Sequence, residues 1–157
     1  MKKRVLFVCL GNICRSPSAE AVFRGLIKKR GLTEYFKIDS AGTSAWHIGE
    51  PADQRMQGHA VKRGYNLASI SRQFNPATDF DNFDYIIAMD EENIQNLKSV
   101  ARNRDDLTKI YKMTDFSKEF TYDEIPDPYY GGEEGFELVL DLLEDACEGF
   151  LETIKDS

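Results

Sequence analysis

Along the chain, short continuous apolar runs alternate with stretches in which apolar residues recur every three or four positions. The first run, Val5, Leu6, Phe7 and Val8, lies within 3–9 and reads as a strand covered on both faces, as in a parallel sheet. Ser16 and Pro17 then mark a helix start. The helix carries Ala19, Val22, Phe23, Leu26 and Ile27 on one stripe, has Lys28, Lys29 and Arg30 at its cationic end, and stops at Gly31. A second strand is expected over 35–38, running into a loop over 39–43. A weakly patterned helix follows from Ala52 to about Arg63, ended by Gly64. Residues 69–82 are mixed and polar, with Pro76 opening a single turn. A third strand spans 85–89, and Asp90 caps a helix that turns Ile94, Leu97 and Val100 inward. A fourth, shorter strand covers 109–113. The last helix runs over 133–155 with Phe136, Val139, Leu140, Leu143, Cys147, Phe150, Leu151 and Ile154 on its apolar face. Alternating strands and helices make βαβ units. The chain, 1–157, is therefore read as a single α/β domain with a parallel sheet, and ligands are expected at the carboxyl ends of the strands. The loops at 9–16, Ser40, Asp90 and Asp115 fall there.

Charge and composition narrow the classes. With 20 basic and 27 acidic residues the net charge is −7, which argues against nonspecific binding to nucleic acid or to an anionic membrane. Lys2, Lys3 and Arg4 precede an apolar run, but it ends at Leu10, too short for a signal core or a membrane span. The 3 cysteines do not make a disulfide framework, so a reducing, cytoplasmic setting is expected. No His, Cys and Asp spacing points to a metal, and no cofactor is called for. His47 and His59 are read as exposed loop or helix residues, and Cys147 as a core residue.

The chemistry concentrates in CLGNICRS, residues 9–16, between the first strand and the first helix. A strand that enters a helix through a small-residue loop gathers amide N–H groups around an anion, and the helix dipole adds to their pull. The socket's floor carries the Cys9 thiol and its rim the Arg15 guanidinium, able to take two phosphate oxygens at once. A helix N-terminus and a nearby cation lower a thiol from about 8.5 to roughly 3.5–7.5, which would make Cys9 an anionic nucleophile. Gly11 and Asn12 are the types that tolerate the positive φ of a tight cradle. The Gly-Lys-Ser/Thr ending of a Walker loop is missing. Residues 115–132 form an acidic, aromatic loop, long enough to favour a functional role. Within it Asp127, fixed by Pro128, fits a proton donor to a leaving group and, afterwards, a base for water. Trp46, Tyr129 and Tyr130 are candidate walls for a flat ring. A deep socket would exclude the shorter phosphoserine.

At these residues the chain resembles the low-molecular-weight protein tyrosine phosphatases. The loop 9–17, then Ala19, Glu20 and Ala21, then Asp39 to Gly42, Met89 and Asp90, and Asp127 to Gly131 all stand in the family's order. The resemblance implies a four-stranded parallel sheet with helices on both faces. It implies Cys9 as nucleophile, Arg15 as phosphate clamp, Asp127 as general acid and base, and phosphotyrosine-containing proteins as partners. Leu10, Gly11, Asn12, Ile13, Cys14 and Ser16 then line the phosphate, while Asn12, Ser16 and Ser40 support the loop. One departure stands out. The family often carries a His in that network where this chain has Ser69, so the loop is expected to be held differently, through water. Cys14 is either loop packing or the partner of Cys9 in a reversible disulfide under oxidation, and a tyrosine kinase could modify Tyr129 or Tyr130. Arsenate reductases share the fold but need relay cysteines, which 79–107 lacks. Protein-arginine phosphatases carry Thr where Ile13 stands. A module that binds phosphotyrosine without cleaving it would not need both Cys9 and Asp127.

Overall fold

A computed structural model describes residues 2–128 and 132–155. Its elements in chain order are β1 (Lys3–Cys9), α1 (Arg15–Lys29), β2 (Phe36–Gly42), α2 (Gln54–Val61), α3 (Asp79–Asn82), β3 (Tyr85–Ala88), α4 (Glu91–Ser99), α5 (Arg104–Thr108), β4 (Ile110–Lys112) and α6 (Glu133–Ile154). The four strands form one parallel sheet in the order β2-β1-β3-β4, as expected for crossovers through helices. β1 is interior, pairing with β2 on one side and β3 on the other. Its alternating side chains divide the core. Val5, Phe7 and Cys9 pack with residues of α1, α2 and α6, while Leu6 and Val8 pack with Phe74, Phe80, Ile94 and Leu97 on the opposite face. Among the described residues, no helix is long and apolar enough to cross a membrane.

Several boundaries differ from the sequence pattern, each for a physical reason. β2 runs on to Gly42 because Asp39 to Gly42 pair with Leu6 to Cys9 through the main chain, which side-chain periodicity does not register. α1 starts at Arg15, and Ser16 does not cap it; the Ser16 side chain turns into the core, toward Cys9. α2 begins at Gln54 because Asp53 accepts from the amides of Arg55 and Met56. Val100 is not inward: it lies one residue past α4 and is 40% exposed. The helix α5 has no counterpart in the pattern. Its five residues include an exposed Leu107, and the Asn103 side chain, capping the Asp106 amide, defines its start. Cys147 is fully buried as expected, and burial pushes its thiol well up.

Candidate active site

The loop from β1 into α1 is held from outside by its carbonyls. Thr43 N–H donates to Cys9 O and Ser44 N–H to Leu10 O, both at 2.9 Å; Asp53 N–H donates to Ile13 O at 2.8 Å. Ser71 Oγ donates to Gly11 O at 2.9 Å. Across a trans peptide the N–H points opposite to the C=O, so the amides of Leu10, Gly11, Asn12 and Cys14 point away from these donors. The close approach of β2 depends on Gly42, since a Cβ there would sit 2.7 Å from Leu10 O. Of the two residues expected to take positive φ, only Asn12 does, at 57°. Gly11 serves space instead: a Cβ on it would lie 2.9 Å from Cδ2 of His47.

Cys9 lies at the floor, 3% exposed. Its sulfur is 3.1 Å from Ser16 Oγ and receives the Ser16 amide at 3.5 Å. Asn12 Nδ2 donates to Ser16 Oγ at 2.8 Å and to Ser40 Oγ at 3.0 Å. Asn12 Oδ1 accepts from the Arg72 amide at 3.0 Å, which fixes the orientation of the side-chain amide. Asn12, Ser16 and Ser40 are all buried. The structure thus joins the three residues expected to support the loop in one hydrogen-bonded group, with Ser16 against the sulfur. Ser69 lines a groove beside Glu20, and among the described residues no hydrogen bond joins it to this network.

Arg15 Nη1 donates to Asp90 Oδ2 at 2.6 Å and to Ile125 O at 3.1 Å, and Nη2 lies 3.7 Å from Asp127 Oδ2. Burial works against its charge, but Cys9, Asp90 and Asp127 outweigh that and hold the guanidinium above its ordinary range. Asp90 caps α4 as expected, Oδ1 accepting from Asn93 N–H at 2.8 Å, and has a second task that the sequence reading missed: Oδ2 holds Arg15. Ile125, fully buried, ties the long loop down, its amide donating to Met89 O at 2.8 Å. Asp127 follows two residues later. The Cys14 thiol is pushed well up, first by burial and then by Asp53, Cys9 and Asp127, so it stays protonated beside its neighbour.

One cleft contains Cys9, Leu10, Gly11, Ile13, Cys14, Arg15 and Asp127, with Trp46 and His47 as a side wall. Trp46 is 74% exposed, a wall open to solvent. His47, read from the sequence as an exposed bystander, instead borders this cleft, with Nδ1 2.7 Å from Glu50 Oε2. Its proximity in space to Gly11 left no mark in the sequence pattern. His59 is half-buried, stacked on Phe136 and paired with Glu137, a packing role rather than an exposed one. Tyr129 and Tyr130 lie outside the described residues. Among the described residues no group of three or more His, Cys, Asp or Glu could hold a metal.

Residues 4–157 match a protein family described as low molecular weight phosphotyrosine protein phosphatase. A low molecular weight protein-tyrosine-phosphatase of Bacillus subtilis, YfkJ, is 44% identical over 151 residues, which cover 96% of this chain and 95% of that protein. The crystal structure of a protein tyrosine phosphatase from Entamoeba histolytica is 48% identical with a TM-score of 0.95, covering 99% of this chain and 98% of the other. A drosophila arginine phosphatase is also similar, at 35% identity and a TM-score of 0.90, covering 99% of this chain and 98% of the other.

Proposed function

The chain belongs to the low molecular weight phosphotyrosine protein phosphatase family, and from that premise we propose that it hydrolyses phosphotyrosine in proteins through a phosphocysteine formed on Cys9. The Cys9 thiolate attacks phosphorus in line with the phenolic oxygen. The P–S bond forms as the P–O bond breaks, and Asp127 gives its proton to the departing phenolate. Asp127, now a carboxylate, takes a proton from water as that water attacks phosphorus. The P–S bond breaks, releasing inorganic phosphate and restoring the thiolate. The loop amides and Arg15 bear the charge on the equatorial oxygens, with Asp90 and Ile125 O holding the guanidinium in place.

One observation carries this reading. A sulfur facing the hydroxyl and amide of Ser16 shares a cleft with a guanidinium and a carboxylate. The three free, buried cysteines suit a reducing compartment. Ile13 in the same cleft presents an apolar surface, which favours a phenyl ring over a guanidinium. Hydrolysis of p-nitrophenyl phosphate tests the chemistry, with an optimum expected at mildly acidic pH. Cys9→Ser should abolish turnover, and residual turnover at the wild-type rate removes Cys9 as nucleophile. A phosphotyrosine peptide should be cleaved faster than a phosphoarginine peptide, and the reverse order would assign the site to the other substrate.

A further inference from the structure

Glu20 is unused by this mechanism, yet its side chain is only 11% exposed, in a position where charge is costly unless it is bonded. Oε2 takes Arg24 Nε at 3.0 Å one helical turn away, a pair that an exposed glutamate could make equally well. Oε1 instead accepts from Ser40 Oγ at 2.8 Å, and that contact joins the network beneath the nucleophile. We infer that Glu20 is a positioning residue: by accepting from Ser40 it sets the direction of a hydrogen-bond chain that delivers the Ser16 hydroxyl proton to the Cys9 sulfur.

The donor inventory leaves one arrangement. With its oxygen taken by the Arg72 amide, Asn12 has only N–H groups to offer the two serines, and both are used. A serine hydroxyl has a single proton. Ser40 accepts from Asn12 and gives its proton to Glu20, which as a carboxylate can only accept. Ser16 accepts from Asn12, so its proton is free to point outward. Of its two acceptors, the Cys9 sulfur at 3.1 Å is closer than Ala41 O at 3.4 Å. Without Glu20, the buried Ser40 hydroxyl faces only donors of Asn12 and must turn. Asn12, already in the left-handed region, then loses one of the contacts that hold it there. The hydrogen-bond chain reaches its end at Glu20 without Ser69, through the direct Ser40–Glu20 contact.

This inference rests on Cys9 as the nucleophile, and the test reads the sulfur without turnover. The pH midpoint of Cys9 alkylation by iodoacetamide, followed by peptide mass spectrometry, is compared in wild type, Glu20→Ala and Glu20→Gln. Glu20→Ala should move the midpoint up by about one pH unit, the shift expected when a hydrogen bond to a charged sulfur is weakened. It should lower kcat for p-nitrophenyl phosphate several-fold with KM little changed. Glu20→Gln keeps an oxygen that can accept from Ser40 and should stay close to wild type. If both variants lower the midpoint, the carboxylate acts as a through-space charge and the inference falls. It also falls if neither moves. Should Glu20→Ala fail to fold, Ser40→Ala cuts the same link and must raise the midpoint; no rise there overturns the proposal. A failure of the nucleophile assignment shows separately, as persistent turnover by Cys9→Ser.

Discussion

The two halves of the proposed catalytic apparatus are built in opposite ways. The Cys9 loop is fastened at four carbonyls and through Asn12, Ser16 and Ser40 within the core. Asp127 stands near the end of a long segment between the turn at Met113–Phe116 and α6, with its side chain 35% exposed. That segment is pinned at Ile125, and Thr114 Oγ1 reaches Asp123 O at 2.7 Å. The difference suits the work proposed for each side. A thiolate and a phosphate dianion need donors already in place, since arranging them during the reaction would cost what preorganisation saves. The acid proposed at Asp127, which would protonate a leaving group and then receive a proton from water, needs access to both.

The largest effects should come from the residue that joins the halves. Arg15→Lys loses the planar fork and its two anchors, and kcat/KM for an aryl phosphate should fall by about 10²–10³-fold or more. A loss under tenfold would mean that the guanidinium is not the phosphate clamp. Asp127→Ala should slow turnover by about 10²–10⁴-fold while inhibition by inorganic phosphate persists. If phosphate no longer binds, Asp127 is holding the site together rather than moving protons. Asp90→Ala strikes both sides more gently. It should cost roughly tenfold or more in kcat/KM through the freed Arg15, the value of a charge-assisted contact, and about 1 kcal/mol of stability through the lost cap.

Paired glycine variants sharpen the contrast in stability. Gly42→Ala places a methyl 2.7 Å from Leu10 O, and thermal denaturation should show a loss of about 1–3 kcal/mol. Gly132→Ala, at the N-cap of α6 at the far end of the acid's loop, has nothing within 4 Å of the added carbon and should lose at most about 1 kcal/mol, the cap preference of glycine over alanine. Equal effects at the two sites would erase the proposed asymmetry. The smallest effect concerns Asp53, whose amide holds Ile13 O. Burial alone would raise its carboxyl, but Arg55 and the amides of Met56 and Arg55 outweigh that and hold it below the usual range. A depressed carboxyl contributes stability above its unfolded value, near about 3.9, and loses it as pH falls through the folded value. The Tm gap between wild type and Asp53→Ala should therefore narrow from about pH 6 to about pH 3. A constant gap would show that the cap is insensitive to its charge.

Local chemistry is what the sequence determined on its own. Apolar runs and stripes specified the four strands, α1, α4 and α6, because periodicity records which side chains must leave water. The spacing of Cys9 and Arg15, and the Pro-flanked Asp127, pointed to one site. Tertiary structure decided what depends on groups meeting across the chain. β2 gained its last residues through main-chain pairing, and α5 formed around a single cap. Asp90 was legible as a cap but not as the anchor of Arg15, and His47 became a wall through a packing contact with Gly11. Glu20 stood among the residues that carry the family resemblance but had no role until Ser40, twenty residues away, was placed against it. Hydrogen-bond direction is a property of closed networks, and a linear pattern does not contain the closure.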